Sequence, residues 1–211
     1  MKTEELIRVL AADGARPVIP IGHTLSRALM LGAVLSTALF FLILHPRADI
    51  GAAVQTLRFD FKLIVVGCVA AGAALFVAYA ALPAPTGRRQ RLLWLGPLLL
   101  AVGVILELAT APVSSWFPRW LGHNATHCLS LIPLLSLPAL GCLLFALRRA
   151  APVRPAVAGA AAGLLSGGIG AILYALSCPD DSPLFVATWY SLAIGAVTAI
   201  AAFVGSRWLR W

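Results

Sequence analysis

The sequence predicts an all-α protein, a polytopic membrane protein built as a six-transmembrane-helix bundle with cytoplasmic N and C termini. Of its 211 residues, 61% are hydrophobic and only 11% are charged, which is more apolar than a soluble domain of this size. The apolar stretches are continuous, as in helical spans, whereas the strands of a membrane barrel alternate apolar and polar residues. A helix needs about 20 apolar residues to cross the bilayer core. Six stretches approach that length, at residues 28–44, 61–82, 92–111, 128–147, 153–176 and 184–206.

The distribution of positive charge predicts the orientation of the bundle. Lys and Arg are enriched in the cytoplasmic loops of membrane proteins. With six spans, the termini and the loops after spans two and four share one side, which holds twelve of the 16 Lys and Arg residues. The other side holds only Arg47, Arg58, Lys62 and Arg119. We therefore predict a cytoplasmic segment 1–27, a transmembrane domain 28–206 and a cytoplasmic tail 207–211.

The segment that precedes the first span begins "MKTEELIRVLAADG" and has the pattern of a short amphipathic helix. Glu4 and Glu5 lie in its first turn, where the helix dipole favours acids, and Leu6, Ile7 and Leu10 form one apolar stripe. A helix of about ten residues is marginal alone in water and needs a surface to rest on. Its acidic start favours a protein partner over a membrane surface, and a tail that frays before the first span is the alternative.

Small residues in spans five and six indicate close packing between helices. Gly159, Gly163 and Gly167 recur at every fourth position of span five, and such a ridge lets another helix approach closely. Gly195 and Ala199 offer the same spacing in span six as a counter-surface. We interpret this pattern as packing within one bundle rather than as a dimer contact.

Glu107 is the one clearly intramembrane charge in the predicted spans, about one turn from the outer end of span three. Carboxylates within a membrane are functional candidates by default, and no basic residue lies in the middle of a span to pair with it. Pro97, Pro133 and Pro138 are expected to bend spans three and four. The alternative function is therefore a small-solute or ion transporter or channel. The lack of polar groups at mid-membrane and of an internal repeat argues against it.

Two cysteines lie at the predicted outer interface. Cys128 begins span four, and Cys178 follows span five in "YALSCPDDSPLF". Spans four and five are joined by a short loop, so their outer ends should be close enough for a disulfide. A redox-active pair, a permanent disulfide, two unpaired thiols and a metal site that adds His123 and His127 all remain open. No compact metal motif is present, so the metal site is the weakest of these.

The sequence contains no motif of a catalytic centre. It lacks a phosphate-binding glycine loop, an HExxH sequence, a nucleophile elbow and a CxxC pair. The remaining cysteines, Cys68 and Cys142, lie within apolar spans and are interpreted as small buried hydrophobic residues. We predict that the protein is not an enzyme and has no cofactor.

Several stretches carry a family resemblance along nearly the whole chain. They are "MKTEELIRVLAAD", "HCLSLIPLLSLPAL", "LRRAAPVRPAVAGAAAGLLSGGIGA" and "YALSCPDDSPLFVATWYSLAI". These stretches resemble the NrsF family, six-span negative regulators of sigma factors in proteobacteria.

The resemblance implies an anti-sigma factor of the bacterial inner membrane. The basic residues are spread over the loops, so we expect no direct binding of nucleic acid. Its cytoplasmic face would hold an extracytoplasmic-function sigma factor and release it on a stress signal. The resemblance assigns perception of that signal to Cys128 and Cys178, and our hypothesis is that oxidation or metal capture at these thiols is the event perceived. It assigns sigma binding to the N-terminal segment, with Glu4, Glu5, Leu6, Ile7 and Leu10 as the contacts expected from the helical pattern.

Overall fold

The computed structural model describes residues 3–5, 21–80 and 91–210, and every regular element within these ranges is helical. We number the helices α1 Ile21–Ile43, α2 Ile50–Ala53, α3 Leu57–Ala80, α4 Leu95–Thr110, α5 Trp116–Leu121, α6 Ala125–Ala150, α7 Pro155–Ala175 and α8 Pro183–Trp208. Short 3-10 turns at Arg91–Trp94 and Val113–Ser115 lead into α4 and α5.

Five helical segments are long and apolar enough to cross a membrane, which confirms the all-α class and agrees with a membrane protein. They are Gly22–Ile43, Leu57–Val77, Val113–Ala150, Pro155–Ala175 and Pro183–Trp208. The third predicted span, 92–111, corresponds to α4, an apolar helix of only 16 residues. The count of six spans and the orientation of the termini therefore remain predictions.

Helix α7 lies at the centre of the bundle, packed against α1, α3, α6 and α8. It is built mainly of Ala and Gly, and two-thirds of it is buried. Small side chains allow these neighbours to approach its backbone, which is how helices gain contact in an apolar solvent. Helix α4 is peripheral by comparison, because it packs on α3 and reaches only the first turns of α8.

The glycine ridge of α7 faces α8. A Cβ atom placed on Gly159 would overlap the carbonyl oxygen of Ala201. One on Gly163 would lie 2.6 Å from Ala201 Cβ and 2.8 Å from Thr198 Cα. The Cβ position of Gly205 is similarly close, at 2.8 Å from Gly159 Cα. The two backbones therefore meet along a seam that has no room for side chains on the glycines of α7.

The counter-surface on α8 differs from the one expected from the sequence. Ala201 and Gly205 form it, whereas a Cβ atom on Gly195 would meet nothing within 4 Å and Ala199 is exposed. All four residues belong to four-residue repeats of small side chains, so spacing alone does not tell which repeat faces α7. The rotation of α8 about its axis decides this, and it depends on an irregular turn near the start of the helix.

That irregularity is a π-helical turn at Val186–Tyr190. The N–H of Ser191 donates to the carbonyl of Val186, five residues earlier, so α8 contains one residue more than a regular helix. Within the turn, the Trp189 indole N–H donates to the Trp120 carbonyl in α5 at 2.9 Å, and Tyr190 is 1% exposed.

The prolines lie at different positions in their helices. Pro133 and Pro138 lie inside α6, which continues through both of them from Ala125 to Ala150. Pro97 is the third residue of α4 and follows the 3-10 turn Arg91–Trp94. The bends expected at these prolines stay predictions.

A leucine at Gly163 should destabilise the bundle, because its side chain would be forced into the backbone of α8. We expect Gly163→Leu to lower the free energy of unfolding by about 1–3 kcal/mol, the usual cost of overpacking. Gly195→Leu is the matched control on α8 and should change stability little. Unfolding of the detergent-solubilised protein measures both, and equal losses for the two variants would contradict the observed seam.

Candidate functional site

Residues 177–182, which we call the 177–182 loop, join α7 to α8 and contain the Cys-Pro-Asp-Asp sequence. Pro183 occupies the first position of α8, where a missing N–H costs nothing. Polar groups from several other elements converge on this loop through the carboxylates of Asp180, Asp181 and Glu107.

Asp180 connects the 177–182 loop to the start of α6 through three hydrogen bonds. Its Oδ2 atom accepts hydrogen bonds from the backbone N–H groups of His123 at 3.1 Å and Asn124 at 3.0 Å. The side-chain amide of Asn124 donates to the same oxygen at 3.0 Å. Because an ionised acceptor strengthens such bonds, this one carboxylate fixes the chain just before α6.

Asp181 binds two basic residues from other parts of the chain. Lys62, in the second turn of α3, donates from its ammonium to Asp181 Oδ1 and to the carbonyl of Cys178, the latter at 2.9 Å. Arg47, which follows α1, donates to Asp181 Oδ2 at 2.9 Å. Arg47 also holds Asp49 through two bonds of 2.6 and 2.7 Å, and the Asp49 and Asp181 bonds raise the pKa of its guanidinium.

Glu107 is paired with basic residues from outside the middle of the spans, which the sequence analysis did not consider. Its Oε1 atom accepts a hydrogen bond from Arg119 in α5 at 3.0 Å, and Arg58 lies 3.7 Å from the same oxygen. Its Oε2 atom accepts bonds from the Ser182 hydroxyl at 2.7 Å and the Leu184 N–H at 3.3 Å. Glu107 therefore fixes the end of the 177–182 loop to α4.

Cys128 and Cys178 belong to one cluster of buried side chains at this end of the bundle. Both are free thiols, with 0% and 2% of their surfaces exposed. Burial raises the pKa of the Cys178 thiol, and the nearby charge of Lys62 partly opposes that shift. Cys178 is therefore a protonated, covered thiol at neutral pH rather than an exposed one.

Tyr190 belongs to the same cluster, and its hydroxyl is buried with no hydrogen-bond partner among the residues that the structure describes. A buried polar group of this kind is costly and uncommon in native proteins. The space around the two thiols therefore contains an unused donor and acceptor as well as the sulfur atoms.

The histidines and the cysteines of the candidate metal site differ in solvent exposure. The His123 side chain is 94% exposed and His127 is also exposed, whereas both cysteines are buried. Within residues 3–5, 21–80 and 91–210, no group of three or more His, Cys, Asp or Glu side chains is placed to hold a metal ion.

The other predicted site residues are placed as follows. Glu4 and Glu5 are exposed and helical, while Leu6, Ile7 and Leu10 lie outside the described residues. The cysteines within the spans, Cys68 and Cys142, are half-buried rather than fully buried.

Sequence reasoning missed the ionic contacts of the 177–182 loop. It treated Arg47, Arg58, Lys62 and Arg119 only as charges on the outer side. Each of the four has a carboxylate oxygen within 4 Å in the structure. A signal was available, because the segments of the predicted outer side also contain five acids, at Asp49, Asp60, Glu107, Asp180 and Asp181.

The fold and this site define a helical membrane protein whose ion pairs gather the helix ends around one loop. The chain belongs to the NrsF family, described as negative regulator of sigma F, whose family model matches residues 10–211. This finding confirms the resemblance seen in the sequence. The family is a regulatory rather than a catalytic one.

Two relatives match over the whole of both chains. The chain is 37% identical to the anti-sigma-F factor NrsF of Caulobacter vibrioides (strain NA1000 / CB15N) over 216 residues. It is 34% identical to the probable anti-sigma-F factor NrsF of Azospira oryzae (strain ATCC BAA-33 / DSM 13638 / PS) over 216 residues. No solved structure matches the chain significantly.

Removal of the Glu107 carboxylate should destabilise the protein, because Arg119, Ser182 and the Leu184 N–H all lose their acceptor. Breaking a buried ion pair costs about 3–5 kcal/mol, and we expect Glu107→Ala to fall near the lower end because Arg119 is 29% exposed. Asp60→Ala removes an exposed carboxylate and should change stability by only about 0.5 kcal/mol. If Glu107→Ala and Asp60→Ala had equal melting temperatures, the anchoring role of Glu107 would be contradicted.

Proposed function

We propose that this protein is an inner-membrane anti-sigma factor. It holds an extracytoplasmic-function sigma factor on its cytoplasmic face and releases it on a stress signal perceived at Cys128 and Cys178. The observation that carries the proposal is full-length similarity, at 37% identity, to a protein named as an anti-sigma-F factor.

The proposed topology has six spans, with α4 as the third. The 3-10 turn Arg91–Trp94 extends α4 to residues 91–110, which is close to the length a span needs. Arg148 and Arg207 lie in the last turns of α6 and α8, which end on the same side of the bundle, and Arg148 stacks on Trp208 at 5.0 Å. Placing this basic end in the cytoplasm satisfies the orientation rule and puts the 177–182 loop in the periplasm.

The proposed contact with the sigma factor lies in the N-terminal segment. Glu4 and Glu5 are exposed and free to meet a partner, and Leu6, Ile7 and Leu10 follow them at helical spacing. An amphipathic segment of this length gains stability when its apolar stripe is covered by another protein. The sigma factor is the partner that the family relationship supports.

The proposed signal acts on two thiols that share one buried cluster. Formation of a disulfide between Cys128 and Cys178 removes two electrons and two protons, which pass to a two-electron oxidant. The S–S bond of about 2.05 Å ties the start of α6 to the 177–182 loop. That change alters how α6, α7 and α8 pack, and the glycine seam is a surface along which α8 can shift.

The size of the effect sets a requirement on this mechanism. Changing the ratio of sigma-bound to sigma-free protein from 99:1 to 1:99 needs a difference of about 5.5 kcal/mol in the binding free energy of the two states.

The family comparison does not favour the transporter alternative. Glu107 also has a structural role already, because its oxygens are occupied by Arg119, Ser182 and Leu184.

Deletion of residues 2–13 should abolish co-purification of the sigma factor with the detergent-solubilised protein. The deletion removes the proposed contact and leaves the helices from Ile21 onward intact, so elution and melting should match those of the full chain. A single Leu6→Asp substitution should act in the same direction by placing a charge in the apolar stripe. Retention of the sigma factor by both variants would exclude the N-terminal segment as the binding site.

Cys128→Ser and Cys178→Ser should each abolish stress induction of the sigma-dependent promoter, because neither variant can form the disulfide or capture a thiophilic metal with two thiolates. Cys68→Ser and Cys142→Ser are matched controls and should leave induction unchanged. A promoter reporter in the host measures all four variants. Normal induction in the Cys128→Ser/Cys178→Ser double variant would exclude sensing by these thiols.

A further inference from the structure

Lys62 is an unusual residue for the interior of a membrane bundle, because its side chain is 0% exposed. Its ammonium donates to Asp181 Oδ1 and to the Cys178 carbonyl, and it lies 5.3 Å from the centre of the Phe59 ring. An ammonium without a counter-charge is strongly destabilised when it is removed from water. Both polar acceptors belong to the 177–182 loop, so Lys62 can remain buried only while this loop is in place.

The dependence is mutual, because Lys62 binds Cys178 itself as well as Asp181. The other side-chain anchors of the 177–182 loop are only partly buried. These are the bonds of Asn124 to Asp180, of Arg47 to Asp181 and of Arg119 and Ser182 to Glu107. The bond from Lys62 to the Cys178 carbonyl is buried, and it acts at the residue that carries the thiol.

The same loop separates the thiols from solvent. Cys128 is 0% exposed and Cys178 is 2% exposed, although Cys178 itself belongs to the loop. A reagent in solution can reach a covered sulfur only after the structure opens locally. The reaction rate of the thiols then depends on how often the loop leaves its place.

We propose that Lys62 is a positioning residue that keeps the 177–182 loop closed over Cys128 and Cys178, so that opening of its contact with Asp181 limits reaction of both thiols. A cellular role for this positioning rests on the proposed sensing function of the two thiols. The effect of Lys62 on the reaction rate of the thiols can be measured without a sigma factor.

The test measures how fast a small neutral reagent, N-ethylmaleimide, alkylates the purified full-length protein in lipid nanodiscs. Cys68→Ala and Cys142→Ala are introduced so that only Cys128 and Cys178 react. Lys62→Met removes the ammonium and keeps a long unbranched side chain. Asp181→Asn removes the counter-charge, keeps the size of the side chain and leaves the lysine in place.

We expect both variants to be alkylated at least tenfold faster than the parent protein. The sign of the Lys62→Met result distinguishes positioning from a purely electrostatic role. Without the lysine charge, less of Cys178 is thiolate, so an electrostatic effect alone would slow alkylation. Faster alkylation therefore reports that the loop has opened.

Two controls separate local opening from other causes. Arg148→Met lies at the opposite end of the bundle and should leave the rate unchanged. Glu107→Ala weakens a neighbouring anchor without touching Cys178, so it reports the effect of general destabilisation. If Glu107→Ala accelerates alkylation as much as Asp181→Asn at a similar melting temperature, the special role of Lys62 is overturned.

An unchanged or slower rate in Asp181→Asn also overturns the proposal, even if Lys62→Met does not fold. Failure of the positioning role can be distinguished from failure of the proposed sensing function. Unchanged alkylation would refute positioning by Lys62 and leave sensing by the thiols intact. Accelerated alkylation combined with normal stress induction in the Cys128→Ser/Cys178→Ser variant would refute sensing and leave the positioning role intact.

Discussion

The ammonium of Lys62 has no access to water, so the protein itself must balance its charge. Asp181 and the Cys178 carbonyl do so, and this fixes the 177–182 loop against α3. The other anchors of the loop follow from the same geometry. Once Asp181 faces α3, its neighbour Asp180 meets the start of α6 and Ser182 meets Glu107 on α4. A loop of six residues thereby gathers the ends of helices that are distant in sequence.

Two kinds of interaction hold this bundle together, apolar packing along α7 and ion pairs around the 177–182 loop, and they differ in how well they tolerate displacement. Packing along α7 depends on small residues and dispersion forces, which are tolerant of small shifts. The charged contacts around the 177–182 loop are less tolerant, because breaking one leaves a buried charge without a partner. Cys178 therefore lies beside contacts at which a small displacement is energetically costly.

The long apolar helices could be located from sequence because each is a continuous apolar stretch, and hydrophobicity is a local property. Helix α7, expected at 153–176, runs from Pro155 to Ala175, whereas α1, expected from residue 28, already begins at Ile21. The site could be predicted only in part. The expected proximity of Cys128 and Cys178 agrees with their common buried cluster, but Lys62 and Asp181 are 119 residues apart, and no local pattern indicates that they meet. Their pairing depends on the tertiary arrangement of α3 and α7.

The counter-surface of the glycine ridge was misjudged for a related reason, and the π turn at Val186–Tyr190 explains it. The extra residue in the π turn rotates every later residue of α8 about the helix axis by about 100°, relative to a regular helix with the same beginning. In a regular helix with the same beginning, Ile200 and Val204 would face the glycines of α7 where Ala201 and Gly205 now lie. Neither branched side chain fits there, and Ile200 is 59% exposed in the observed phase. Close contact between α7 and α8 at one end of the bundle thus requires a helical defect at the other end, within the cluster that holds the thiols.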